Sequence, residues 1–235
     1  MKIVFTPDWF LGKDVLIEIF SFVVLLSFFI LCLKNYKLNK KKNFLYLGIG
    51  FLMISLSQIT TIMTKIVLYY NSRFIQNIGV MIVSYQIVNS IDIFYQAGFF
   101  LQRILTLIGL YILYKLALNK KWTGDSYLVL FFLVLISIFS TNFYYYIFHL
   151  VALILLLLII KNYLSIYKKN RHNNTKILII AFTMLAISKM IFLLSKLSTF
   201  FVIANLIELA SYIILLVLIT RIIWHSKRLG ESSRK

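Results

Sequence analysis

Acidic residues are scarce in this chain: seven Asp and Glu stand against 25 Lys and Arg, a formal net charge of +18. Cysteine occurs once, proline once and histidine three times in 235 residues. A single cysteine, Cys32, excludes an intramolecular disulfide and a thiolate metal site. The three histidines, His149, His172 and His225, fall on separate segments, so no histidine-based metal centre is expected. There is no His-Glu-x-x-His helix motif and no Gly-x-Ser-x-Gly elbow, so neither metal-dependent nor serine hydrolysis is expected. The sequence is read as non-enzymatic, without cofactor. Nucleic-acid binding would call for a folded basic domain or a long basic tail. The longest polar pieces here are short loops.

What is abundant is apolar surface. Hydrophobic residues make up 61% of the chain and charged ones only 14%. A soluble domain of this length cannot hide that much apolar area. The apolar residues come in blocks of about 20, the length that crosses a bilayer core as helix. Short alternating strands of about ten residues, the mark of a membrane β-barrel, are not seen. The fold class is therefore an all-α membrane protein, a single integral domain over residues 1–235.

Seven spans are predicted: 15–33, 44–70, 91–118, 127–141, 144–167, 176–200 and 201–224. The first ends in Leu-Cys-Leu-Lys, without the small-residue cleavage site of a signal peptide. Lysine and arginine concentrate after spans one, three, five and seven: Lys34–Lys42, Lys120-Lys121, Lys168–Arg171 and the tail. The intervening connections contain only Arg73. The positive-inside rule then places the N-terminus outside and the C-terminus in the cytoplasm of a cell membrane, with anionic lipid headgroups at the inner face. Residues 71–90 are read as the one sizeable outer connection, an interfacial helix, a hairpin or a lid. No internal repeat is visible.

Charged side chains inside spans cost a few kcal/mol each (roughly 2.5–3.5 at a helix centre) unless paired or hydrated, which makes them functional candidates. Glu18, Lys65, Arg103, Lys189, Lys196 and Glu208 fall in the outer half or near the midplane of the predicted spans, with Asp92 and His149 nearby. Lys189 and Lys196, seven residues apart, share a helix face. Polar stripes, Gln58-Thr61-Lys65, Gln96-Arg103 and Asn205-Glu208, are expected to converge with them on an outward-facing site. Basic groups outnumber acidic ones in this set, which favours an anionic or carboxylate-bearing ligand. The plain alternative is structural: Glu18 with Lys65, and Glu208 with Lys189 or Arg103, as ion pairs that fix helix register.

The lysine loop Lys34–Lys42, followed by Phe44-Leu45-Tyr46-Leu47-Gly48-Ile49-Gly50-Phe51 opening span two, resembles the seven-helix N-terminal sensor regions of some prokaryotic histidine kinases. The same order of parts is similar to stand-alone archaeal seven-helix multi-pass proteins. The resemblance implies a sensing module without a kinase and transfers no functional residue. Three readings stand: a receptor or sensor with an outward polar site, a small transporter or ion-conducting protein, and an accessory membrane subunit. The first passes its signal to a membrane-protein partner or a second copy. Polar residues continuing through the inner half would favour transport; Ala152–Ile160 and Ile213–Ile219 are nearly purely apolar there.

Overall fold

The computed structural model describes residues 7–10, 12–78, 85–118, 124–142, 145–194 and 198–232. These form one 3-10 turn, Asp8–Phe10, and seven α-helices: α1 Lys13–Asn39, α2 Lys42–Ile78, α3 Tyr85–Leu118, α4 Gly124–Asn142, α5 Tyr145–Asn170, α6 Asn173–Phe192 and α7 Ser198–Ser232. Six are long and apolar enough to cross a membrane; the apolar stretch of α4, Gly124–Ser140, is shorter.

Helix starts and stops follow local chemistry. Gly12, with φ +85°, reverses the chain before α1, and its N–H donates to Asp14 Oδ1 at 3.1 Å. Asp14 thus sits in the first turn, where a carboxylate complements the helix dipole. Two tight turns at the other end of the bundle share one device. Lys40 (φ 54°) and Arg171 (φ 47°) take the left-handed conformation and donate their N–H to Tyr36 O and Tyr167 O, each at 2.8 Å. This closes α1 and α5 in the manner usually left to glycine.

The helices pack in a closed ring, α1–α2–α3–α5–α6–α7 and back to α1, with α4 outside it against α3 and α5. The ring members are the six helices of spanning length. Neighbours in sequence are antiparallel: Ser55 Oγ of α2 donates to Phe22 O of α1 at 3.3 Å, and Ser211 Oγ of α7 to Ala181 O of α6 at 2.8 Å. Helix association in lipid relies on such bonds and on close packing, because lipid is as apolar as the side chains. The α2–α3 contact uses glycine for this. A Cβ on Gly109 would stand 2.8 Å from Gly50 O and 2.6 Å from Ile54 Cγ1.

One apolar core fills the half of the ring towards the lysine turns and reaches Phe148 and Tyr212 in the other half. It includes Val24, Leu25 and Phe28 of α1, Phe51 of α2, Leu113 of α3, Leu156 and Ile159 of α5, Phe182 of α6 and Leu215 of α7. Phe28 stacks on Phe51 at 4.5 Å, and Phe182 on Tyr163 at 6.0 Å. Beyond this core, at the same end, Lys34, Lys37, Lys40–Lys42, Lys168, Lys169, Arg171 and Lys176 are all exposed.

The structure revises two sequence expectations. Residues 71–90 are not one long connection: α2 continues to Ile78 and α3 begins at Tyr85. At 1.5 Å per residue the 37-residue α2 is about 55 Å long, well past a bilayer core of about 30 Å. The α6–α7 break also comes early, after Phe192 rather than Phe200. Leu193 and Leu194 donate to Met190 O and Ile191 O, the tightened i–3 pattern of a terminating turn.

Candidate functional site

The buried charges collect at the end of the ring opposite the lysine turns, in two groups joined by aromatic rings. The first lies between α1 and α2. Asp14 and Glu18 are four residues apart, one turn of α1, and present two carboxylates on one face. Lys65 reaches across from α2. Its Nζ lies 2.8 Å from Asp14 Oδ2 and also bonds Glu18 Oε1. Asp14 is fully buried, and Glu18 and Lys65 nearly so. Phe201 of α7 presents its ring 5.9 Å from the same ammonium.

The second group lies between α6 and α7. Lys189 Nζ is 2.9 Å from Glu208 Oε2. Tyr212, one turn further along α7, donates its hydroxyl to Glu208 Oε1 at 3.1 Å. Ser188 Oγ donates to Ala204 O at 2.9 Å and lies 3.5 Å from Glu208 Oε2. The Phe192 ring lies 5.1 Å from the Lys189 ammonium. Ion pair, ring face and hydroxyls together compensate charges that burial makes costly.

A run of rings carries the site on to α3. Phe201 meets Phe192 edge-on at 5.7 Å. Phe192 stacks on the buried His149 of α5 at 4.9 Å, and His149 meets Phe148 at 4.9 Å. The guanidinium of Arg103 lies 5.9 Å from the Phe148 ring and donates to Ser140 Oγ of α4 at 3.3 Å. The outlying α4 thereby supplies a ligand to a charge held in the ring.

Of the six residues singled out from sequence, the structure brings Glu18 together with Lys65, and Lys189 with Glu208. It sets Arg103 apart, towards α4 and α5, so the cation facing Glu208 is Lys189. Lys196 lies outside the described residues, and α6 ends before it, at Phe192. The Asp92 side chain is likewise outside the described ones. The expected stripes dissolve into local bonds. Thr61 donates to Ser57 O at 2.9 Å and Asn205 to Phe201 O at 2.8 Å, within their own helices, while Gln96 is exposed.

Sequence reasoning missed Asp14, which lies one residue before the predicted span 15–33. Its i,i+4 relation to Glu18 was the available signal. It also missed Tyr212, which bears the same relation to Glu208, and Ser188. With Asp14 included, the described network holds three carboxylates, Asp14, Glu18 and Glu208, against three cations, Lys65, Arg103 and Lys189. The positive excess that favoured an anionic ligand is absent among these residues.

Compared with known proteins, the chain matches no family model, no curated protein and no solved structure.

Proposed function

We propose that the chain is a non-enzymatic receptor- or sensor-like module of the cell membrane, with seven spans, its N-terminus outside and its C-terminus in the cytoplasm. In this reading the site around Lys65, Glu18, Glu208 and Lys189 receives an external ligand. The resulting shift in helix packing reaches a membrane partner or a second copy through the basic loops.

The observation that carries the reading is the division of the bundle. Every buried ion pair among the described residues lies in one half, and the other half is closed by the Val24–Phe28–Phe51–Phe182–Leu215 core. Two serine hydroxyls buried beside that core, those of Ser55 and Ser211, bond helix carbonyls rather than lining a path. A transporter needs polar footing on both sides of its site.

Seven crossings, rather than six, are supported by the course of α4. It starts beyond the lysine end of α3 and brings Ser140 to Arg103, so it runs the length of the bundle. Its 19 residues span about 28 Å, close to the thickness of a bilayer core. Charge bias sets the orientation, with the exposed lysines inside.

The test is the thermal stability of detergent-purified protein against a panel of small anions, cations, zwitterions and neutral solutes. A ligand that binds only the folded state at 100 times its Kd adds about 2.7 kcal/mol. A shift seen in wild type and lost in Lys189→Met and Glu208→Gln supports the reading. If no solute shifts wild type and both variants merely melt earlier, the charges are structural.

A further inference from the structure

We infer that the chain is a duplicated three-helix unit, α1–α2–α3 and α5–α6–α7, whose two copies pivot against each other near Cys32 and Tyr163 and so widen and narrow the charged site. The pivot gives the receptor reading its moving part, but needs no ligand itself.

Around the ring the helices run α1–α2–α3, then α5–α6–α7, and back to α1. Both α1 and α5 lead from the charged end, at Glu18 and His149, to the lysine end, at Lys40 and Arg171. The two triplets thus share one order and one sense, and a half-turn about the bundle axis exchanges them. A three-helix unit ends on the side opposite its start. The outlying α4 returns the chain, so that a second copy starts where the first did.

The same half-turn relates the residues. With α1–α2 laid on α5–α6 at a constant offset of 131 residues, Ile49, Phe51, Met53, Ser57 and Lys65 recur as Ile180, Phe182, Met184, Ser188 and Lys196. Tyr36, Lys37 and Asn39 recur as Tyr167, Lys168 and Asn170, and the residues that follow, Lys40 and Arg171, are the two left-handed turn residues. Burial agrees: Val24, Leu25, Phe51 and Ile54 are buried, and so are Leu155, Leu156, Phe182 and Leu185. Between α3 and α7 the offset falls to 101, and Tyr111-Ile112 recurs as Tyr212-Ile213. The difference is the extra length of the α2–α3 hairpin, which breaks the register and hides the repeat along the chain. The copies differ where the charges sit: Glu18 corresponds to His149, and Glu208 to Leu107.

Contact is more extensive between helices of one unit than at either seam, α3–α5 or α7–α1. Each unit holds its own ion-pair cluster, Lys65 with Asp14 and Glu18 in the first and Lys189 with Glu208 in the second. Contacts across the seams include a cation of the first unit on a ring of the second, Lys65 at Phe201 and Arg103 at Phe148, both 5.9 Å. A ring face attracts a cation with less directional demand than a hydrogen bond. Cys32 and Tyr163 are counterparts at the same offset, and they lie within electrostatic reach of each other although α1 and α5 stand on opposite sides of the ring. A residue approaches its own counterpart only near the axis, so the units meet there, in the core. Rotation about that place moves the charged clusters most and keeps the core closed.

The experiment is double electron–electron resonance on the spin-labelled full chain in nanodiscs, without added ligand, in a Cys32→Ser background. Cysteine pairs at Ile19/Leu56 and Leu150/Ile187 lie within the units, and pairs at Ile19/Leu150 and Leu38/Lys169 span them at the charged and lysine ends. All six positions are exposed. The two pairs within units are expected to give single, matching distances. Ile19 and Leu38 stand about 20 Å and about 9 Å along α1 from Cys32, at 1.5 Å per residue. The Ile19/Leu150 distribution is therefore expected to be about twice as wide as that of Leu38/Lys169. Unequal distances within the units overturn the repeat, and an Ile19/Leu150 distribution no wider than Leu38/Lys169 overturns the pivot. Because no ligand enters, failure here is separate from failure of the receptor reading.

Discussion

Removing the Lys65 ammonium is expected to be among the most damaging single changes in this protein. Its Nζ serves two acidic side chains of α1, 2.8 Å from Asp14 and bonded to Glu18, at a site where all three residues are nearly or fully buried. Breaking a buried ion pair from one side typically costs about 3–5 kcal/mol, because the remaining charge stays buried. For a chain of this length each kcal/mol shifts the melting temperature by about 2–4 °C. Lys65→Met is therefore expected to melt about 6–20 °C below wild type in the same detergent. The contrast with Glu208→Gln gives the reasoning its edge. That change leaves Lys189, whose side chain is 12% exposed. A flexible lysine stem near the helix end can carry its charge towards water, so the loss is expected to be smaller. Adding Asp14→Asn to Lys65→Met is expected to restore part of the stability, since neighbours in one network are not additive. If Lys65→Met melts with wild type, or if the double variant melts lower than Lys65→Met, the α1–α2 charges do not hold the bundle as described.

Other consequences of the packing are open to the same assay. Gly109→Ala forces a methyl group against Gly50 O and Ile54 and is expected to cost about 1–3 kcal/mol, whereas Gly124→Ala, which meets nothing within 4 Å, is expected to be neutral or slightly stabilising. Phe182→Ala, at a position 1% exposed in the core, is expected to lose about 3–5 kcal/mol, with no change in which end of the protein reacts with impermeant reagents. Cys32 is buried, so a maleimide is expected to label it only as the protein unfolds; fast labelling of the native protein would contradict the packing of α1 against α2.

The membrane class and most helix limits were legible in the sequence because they rest on strong signals. Blocks of apolar residues of bilayer length fixed six helices, and the lysine runs marked the turns at Lys40–Lys41 and Arg171–His172. The α6–α7 break was misplaced because Leu193, Leu194 and Leu197 continue the apolar pattern, while the turn is made by backbone bonding that hydropathy does not register. Asp14 was passed over because it lies beside Lys13, just before the apolar run that marks the first span. Only the helix start at Lys13 reveals that it faces inward with Glu18. Which cation meets Glu208 was unreadable, because it depends on ring order. The neighbours of α7 are α6 and α1, and α3 lies across the bundle beside α2 and α5.

The central claim is that the charged site opens to one side of the membrane and is closed from the other by a dry core. The most direct test places single cysteines in a Cys32→Ser background reconstituted in liposomes: Lys189→Cys at the site, Leu215→Cys in the core, and Lys13→Cys and Lys41→Cys as markers of the two ends. A membrane-impermeant thiol reagent is then applied to each side in turn. The account predicts that Lys189→Cys reacts only from the side that labels Lys13→Cys, and that Leu215→Cys reacts from neither. Reaction of Leu215→Cys, or of Lys189→Cys from the Lys41 side, would show a path through the whole bundle and contradict it.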